Sequence, residues 1–314
     1  MTSYEEQNPP DISINEVKKN LDGIFPSLSK DEIVFHYHGS YNVFFIKEDY
    51  VFRFPDKVFR NENGKNMLKN EIETLKILQN SFNLEIPKPH YLSLDPENLF
   101  VGYKKIEGIS LSRCFKRIPE EFLEEIAKSI GKFLSKLHSN EIKEKIKKKH
   151  RFLPTKLDLE YYHSFWNNTF IKTKKIIFPI IKIHQRDWLN TIFSDFLNDS
   201  NNFSFEPRIT HCDFDTSNIL VDPQSLKVKG IIDFENTQLW DPAADLLFFN
   251  EGEIFLEQIL NSYSFKVEDS FRNRMKFLFC RTCVSYMEFG IENNYPKMIE
   301  AGIDILNNNM KIFP

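Results

Sequence analysis

The rhythm of apolar and polar positions changes several times along the chain. At 14–22, INEVKKNLD places its apolar residues on one helical face and predicts a short amphipathic helix. From 33 the texture is IVFHYHGSYNVFFIKEDYVFRFPDK, dense in β-branched and aromatic residues broken by turn formers. It predicts three antiparallel strands at about 33–38, 42–47 and 50–54. Met67, Leu68, Ile72, Leu75 and Leu78 then recur at helical spacing and predict a helix over about 65–80. IPKPHYLSLDPENLFVGYKKIEG holds two further strands, near 89–94 and 98–105. The order β-β-β-α-β-β describes a small sheet carrying one helix.

Beyond Gly108 the period becomes helical. Residues 119–138 form a strongly amphipathic helix opened by Pro119 and early acids. Helical pattern returns at 157–200 and fills most of 242–310, including one helix over about 269–289. A hairpin interrupts it: NILV, a turn at DPQS, then VKGIIDF. The expected architecture is α+β and two-lobed, with a β-rich lobe at 1–105 and a larger helical lobe at 106–314. A cleft between such lobes is a usual place for a ligand.

Composition narrows the function classes. The chain is 41% hydrophobic and 27% charged with 31 Phe, which suits a globular protein with an ample core. A net charge of −4 supplies no basic field, so no nucleic-acid partner is expected. The basic run KEKIKKKHR (143–151) reads as a solvated helix end or linker. The start, MTSYEEQNPPDIS, lacks the basic end and apolar core of a signal peptide, and runs such as IIFPII are too short to cross a bilayer. The expectation is a cytoplasmic chain without a membrane partner. Cys280 and Cys283 form a C-x-x-C, but it lies in a helical pattern and no second Cys or His pair is close. They read as small core side chains.

The chemistry concentrates in THCDFDTSNILVD (210–222). Asp213 and Asn218 stand five apart, and Asp233 follows at the end of the hairpin's second strand, twenty residues beyond Asp213. A hairpin returns the chain, so the three side chains can gather at one end. Phosphoryl transfer asks for such a set: an Asp that orients a hydroxyl and accepts its proton, and hard oxygen donors that hold Mg²⁺ against nucleotide phosphates. His211 reads as a brace for the loop. The competing readings are an ordinary Asx-rich turn and a nucleotide-binding protein without turnover.

HCDFDTSNILVD…GIIDFENTQLWDPAADL resembles the aminoglycoside phosphotransferases and related small-molecule kinases with a protein-kinase-like fold. Their pattern is H-x-D-x-x-x-x-N, a hairpin, I-D-[FW], then D-P-x-x-D, and it spans 211–245 here. The resemblance implies Asp213 as catalytic base, Asn218 and Asp233 as Mg²⁺ ligands, and ATP or GTP as co-substrate. It implies that Asp245 braces the catalytic loop together with His211, with Asp241 in a similar role. In YVFRFP, Arg53 stands where many relatives carry a phosphate-contacting Lys; an Arg there keeps its charge and a bidentate fork. Glu71 is its implied partner, with Glu73 as the alternative. Ser40, in HGSYN, lies in the loop that would cover the phosphates. Tyr103, Lys105 and Ile106, in VGYKKIEG, lie in the stretch resembling the purine-binding hinge.

No long activation segment ending in A-P-E follows Asp233, which favours a small molecule over a protein substrate. An aminoglycoside is the leading expectation, supported by the acids Glu235, Asp241, Glu251, Glu253 and Glu257, with Glu235 as a substrate contact. Arg272, Arg274, Lys276 and Arg281 speak against a polycation. A macrolide, a choline-like alcohol or a sugar are the alternatives, and the chain is expected to act as a monomer.

Overall fold

The computed structural model describes residues 9–314; the polar start MTSYEEQN, read above as unlike a signal peptide, lies outside the described residues. In chain order the elements begin with α1 (Ile14–Leu21), β1 (Ile33–His38), β2 (Tyr41–Ile46), β3 (Tyr50–Pro55), α2 (Glu62–Leu78), β4 (Pro89–Asp95) and β5 (Asn98–Lys104). Then come β6 (Ile109–Ser110), α3 (Leu111–Cys114), α4 (Glu120–Leu137), α5 (Asn140–Lys149), α6 (Leu159–Ile176), α7 (Ile183–Asn198) and β7 (Arg208–Thr210). The chain closes with β8 (Ile219–Val221), β9 (Val228–Ile231), β10 (Gln238–Trp240), α8 (Glu253–Ser262), α9 (Asp269–Cys280), α10 (Thr282–Glu292) and α11 (Pro296–Ile312).

Two compact units result. One takes the chain up to Ile118 with Glu144–Leu153 and Thr216–Thr237; the other takes Pro119–Lys143, Pro154–Asp215 and Gln238–Pro314. The first therefore extends past 105 and gathers the later hairpin, because β8 pairs with β6 and Glu85 bridges to Gly230 on β9.

The first unit is built on an antiparallel sheet of order β1-β2-β3-β5-β4. Side chains alternate across a strand, so β3 sends Phe52 and Phe54 to one face and Arg53 to the other. The Phe face joins Val17, Leu21, Phe44, Ile46 and Phe100 in one apolar core. The opposite face packs Tyr41, Leu99, Val101 and Tyr103 against Leu68 and Ile72 of α2. Gly102, opposite Phe52, is required there: a Cβ would lie 2.4 Å from the Phe52 ring. Asn61 caps α2 by accepting from the Asn63 and Gly64 N–H groups at 2.8 and 3.3 Å.

The second unit is helical apart from the β7–β10 pair. Its core is aromatic: Phe170 stacks on Phe193 at 4.8 Å and Phe196 on Phe277 at 3.7 Å, with Trp166 edge-on to Phe277 at 5.1 Å. Helices α4 and α8 meet at Gly131, where a Cβ would fall 2.5 Å from the Ile259 carbonyl oxygen.

One expectation changes. The helix expected over about 269–289 is two helices meeting at Arg281, where Val284 N–H bonds Arg281 C=O at 2.9 Å and tightens the turn to the i→i+3 form. The basic run lies largely within α5, and Lys145, Lys147 and Arg151 bond Ser81, Glu144 and Glu73. All four cysteines are free; burial pushes the Cys280 thiol up to about 12. No helix among the described residues is long and apolar enough to cross a membrane.

Candidate active site

In the first unit, the strand period and the helix period converge on one cation. Arg53 leaves β3 on the α2 face, and Glu71 falls on the buried stripe of α2 between Leu68 and Leu75. The Arg53 guanidinium donates to Glu71 Oε1 at 2.6 Å, to Asp233 Oδ1 at 2.8 Å and to Glu235 Oε2 at 2.9 Å. It also lies over the Tyr41 ring, 4.1 Å from the centroid. Glu73 is turned away and pairs with Arg151, so Glu71 is the partner.

One guanidinium among three carboxylates leaves the cluster negative. Burial pushes Glu71 up toward neutrality, against the pull of Arg53, and the nearby Asp233 adds to the push. Burial alone would lower Arg53, but Asp233 and Glu71 hold it well above its ordinary value. Tyr103 is buried beside Arg53, and its phenol is pushed up by that burial.

Asp233 has φ +69, a left-handed conformation uncommon outside glycine. The following chain is pinned: Asn70 Nδ2 donates to the Glu235 and Thr237 carbonyls at 3.0 and 3.2 Å. Asn218 belongs to this unit as well. Its carbonyl accepts from Ile232 N–H at 3.0 Å, which sets it beside the residue preceding Asp233. The carboxylate of Asp233 and the amide oxygen of Asn218 are hard donors of the kind Mg²⁺ prefers, and the negative cluster suits a cation.

Other nucleotide candidates take separate positions in the unit. Ser40 is exposed at the β1–β2 turn, and its carbonyl accepts from Asp56 N–H at 2.9 Å. His38, at the base of that turn, contacts the Pro9 carbonyl at 2.7 Å through Nδ1 and Asp56 at 2.8 Å through Nε2. Both partners are acceptors, so both ring nitrogens must carry hydrogen, and the hydrogen bonds to Asp56 and Pro9 raise His38 despite its burial. Lys105 follows the end of β5. Its N–H is bonded to the Asp49 carbonyl at 2.7 Å, a ladder contact one step beyond β5, and is not available to a purine. Ile106 is half-buried against Gly230.

In the second unit the loop after β7 is anchored by Asp245. Its buried carboxylate accepts from the N–H groups of His211 and Cys212 at 2.7 and 2.8 Å. His138, at the end of α4, reaches the same carboxylate at 3.0 Å and Tyr263 at 2.6 Å. Cys212 is held at φ +65, directly before Asp213. Phe214 is buried behind the loop, stacked on Phe133 at 5.6 Å. Asp213 is exposed between the buried His211 and Phe214. Neither His138 nor Tyr263 stood out in the sequence, because a single residue at a helix end carries no spacing signal.

Three of the five acids put forward for a cationic substrate are otherwise engaged, while Glu253 is exposed at the start of α8. Glu235 is buried on Arg53, Asp241 is buried on Arg274 Nε at 2.9 Å and Tyr162 at 2.9 Å, and Glu257 holds Arg272 in a two-pronged contact. Asp241 thus braces α9 and α6 rather than the loop. These side chains sit near arginines that the sequence separates widely, a pairing that spacing alone does not reveal.

Solved structures of similar fold include the GDP and kanamycin complex of APH(2")-IIia, with TM-score 0.82 and 22% identity over 95% of this chain and 99% of that one. The ADP-bound aminoglycoside phosphotransferase APH(2'')-Ib aligns with TM-score 0.70 and 20% identity, covering 97% of this chain and 99% of that one. Macrolide 2'-phosphotransferase MphH from Brachybacterium faecium gives 0.69 and 15%, covering 92% and 98%. At these identities the likeness concerns the fold. No curated protein matches. The family model described as the phosphotransferase enzyme family matches residues 32–272, well over half of the chain, and the protein therefore belongs to that family of kinase-like transferases.

Proposed function

We propose that the protein is a nucleoside-triphosphate-dependent kinase that moves the γ-phosphate of ATP or GTP to a hydroxyl of a small molecule. The observation that carries this reading is the buried Arg53–Glu71 pair joined to the half-buried Asp233, in a chain that also presents an exposed Asp213 on a tightly anchored loop. Asp213 orients the acceptor hydroxyl and takes its proton as oxygen attacks the γ-phosphorus. Glu71 fixes Arg53, whose fork turns to nucleotide phosphate. Asn218 and Asp233 would hold Mg²⁺, which neutralises phosphate charge when bound. The left-handed backbone at Cys212 and Asp233 is the strain expected where side chains are aimed for chemistry. Structures of similar fold hold GDP or ADP, which supports a nucleotide co-substrate. We infer a cytoplasmic setting, where such nucleotides are abundant.

An aminoglycoside acceptor now rests on the family resemblance and the kanamycin-bound neighbour more than on its supporting acids, since Glu235, Asp241 and Glu257, three of the five, are paired with arginines. The test is transfer from γ-labelled ATP and GTP to aminoglycosides, macrolides, choline and sugars. Labelled acceptor that depends on Asp213 supports the reading. Tight nucleotide binding with neither transfer nor Mg²⁺-dependent hydrolysis would reject it.

A further inference from the structure

Helix α9 and the turn that follows it carry three arginines in the second unit. Arg272 grips Glu257 and Arg274 grips Asp241. Arg281 has no such partner. No carboxylate among the described residues lies within ion-pair distance of it, and its one hydrogen bond runs from Nη1 to Ser285 Oγ at 2.6 Å. Its Nε is buried without an acceptor. The nearest acid along α10, Glu288, is engaged by Lys172. Burial lowers Arg281, as expected of a cation withdrawn from water without a counter-ion. The residue as a whole is half-exposed, so part of the guanidinium meets water while Nε does not, and no acid among the described residues neutralises it.

Its position ties it to the catalytic loop within the same unit. The guanidinium lies over the Trp166 ring, 4.9 Å from the centroid. Trp166 meets Tyr162 edge-on at 6.0 Å, and Tyr162 meets Trp240 on β10 at 5.0 Å. Strand β10 pairs with β7, which leads into Cys212 and Asp213. Gln238, on the same strand, donates to Cys212 Sγ at 3.5 Å. The Arg281 charge is felt at that thiol, which burial pushes strongly up and Arg281 pulls down.

We propose that Arg281 binds the acceptor, and that the acceptor carries an oxyanion, a carboxylate or a phosphate, seated on the Arg281 guanidinium beside the Trp166 ring. This rests on the kinase reading above. Arg281 takes no part in the covalent step: the acceptor oxygen bonds to the γ-phosphorus, the β–γ bridging bond breaks, nucleoside diphosphate leaves, and Asp213 takes the hydroxyl proton. The guanidinium instead selects by charge. An anion pairs with the accessible part of the half-exposed Arg281 guanidinium and needs no rearrangement of the Arg272 and Arg274 pairs, whereas a polycation would have to approach an unpaired positive group.

The experiment uses the full chain and γ-labelled nucleotide with hydroxyl acceptors in three charge classes: gluconate and glucose 6-phosphate, glucose, and kanamycin with choline. The proposal predicts the highest kcat/KM for an anionic member, with gluconate and glucose 6-phosphate separating carboxylate from phosphate. Arg281→Met should raise KM for that acceptor roughly 10- to 100-fold, the range of a charge-assisted contact, with little change in kcat. Arg281→Lys should recover part of the loss. A cationic or neutral acceptor in first place, or an unchanged KM in Arg281→Met, overturns it. Should no acceptor take label, sulfate titrated against tryptophan fluorescence decides the site separately from the kinase reading. Saturable quenching in the wild type that is lost in Arg281→Met, with the thermal transition retained, upholds the anion site, and no quenching in the wild type rejects it.

Discussion

Replacing Asp245 by Asn probes the link between packing and chemistry in the catalytic loop. The wild-type carboxylate accepts hydrogen bonds from two loop N–H groups and from His138, with Cys212 half-buried and the rest buried. An amide of the same shape keeps one acceptor oxygen and turns an NH₂ toward a backbone N–H. Losing one or two hydrogen bonds to a charged acceptor costs about 1.5–3 kcal/mol each. Cys212, no longer held at φ +65, relaxes and returns about 1–2 kcal/mol. The net expectation is a loss of roughly 0–5 kcal/mol in urea denaturation, larger if both bonds are lost. Turnover should fall further than stability implies: a loop displaced by about 1 Å can lose about 100-fold in kcat, with nucleotide KM nearly unchanged. An Asp245→Asn enzyme with wild-type stability and wild-type kcat would refute the claim that this carboxylate positions Asp213.

Other outcomes follow from the first unit. A double-mutant cycle on Arg53→Met and Glu71→Gln should show coupling of about 0.5–3 kcal/mol in nucleotide binding, and strict additivity would separate the pair. Asp233→Ala should weaken Mg²⁺-nucleotide binding with only partial rescue by excess Mg²⁺; unaltered metal dependence would place the cation elsewhere. His38 should titrate above its ordinary 6.5 by NMR, and a value at or below that would contradict its double-donor geometry. The sign is fixed: His38 is raised, so its stabilisation is complete below 6.5 and fades as pH rises through the folded value, while Asp56 is lowered from 3.8 and its share fades only in stronger acid.

Much of the fold is legible because side-chain period speaks directly to local structure. The dense β-branched and aromatic runs at 33–54 and 89–105 become five strands, and the apolar stripe from Met67 to Leu78 becomes α2. Where Glu71 sits on that stripe explains its contact with Arg53. Long-range pairing is less legible. Nothing in the spacing ties Arg274 to Asp241, Arg272 to Glu257 or Arg53 to Glu235, so three of the five acids available on paper for a polycation are occupied. The break at Arg281 escaped as well, since the apolar period runs through Cys280 and Cys283 without a Gly or Pro to mark it. An unpaired arginine is visible only once every neighbouring acid has been assigned a partner.

Label transfer in the wild type and Asp213→Asn, at saturating Mg²⁺ and γ-labelled nucleotide, decides whether the protein is a kinase that uses Asp213 as its base. The expected result is phosphate on a small hydroxyl compound, turnover lower by about 10²–10⁴-fold in Asp213→Asn, and nucleotide affinity nearly the same in both. Equal turnover in the two proteins would remove Asp213 from the mechanism, and the absence of any transfer or Mg²⁺-dependent hydrolysis in the wild type would contradict the assignment as a kinase.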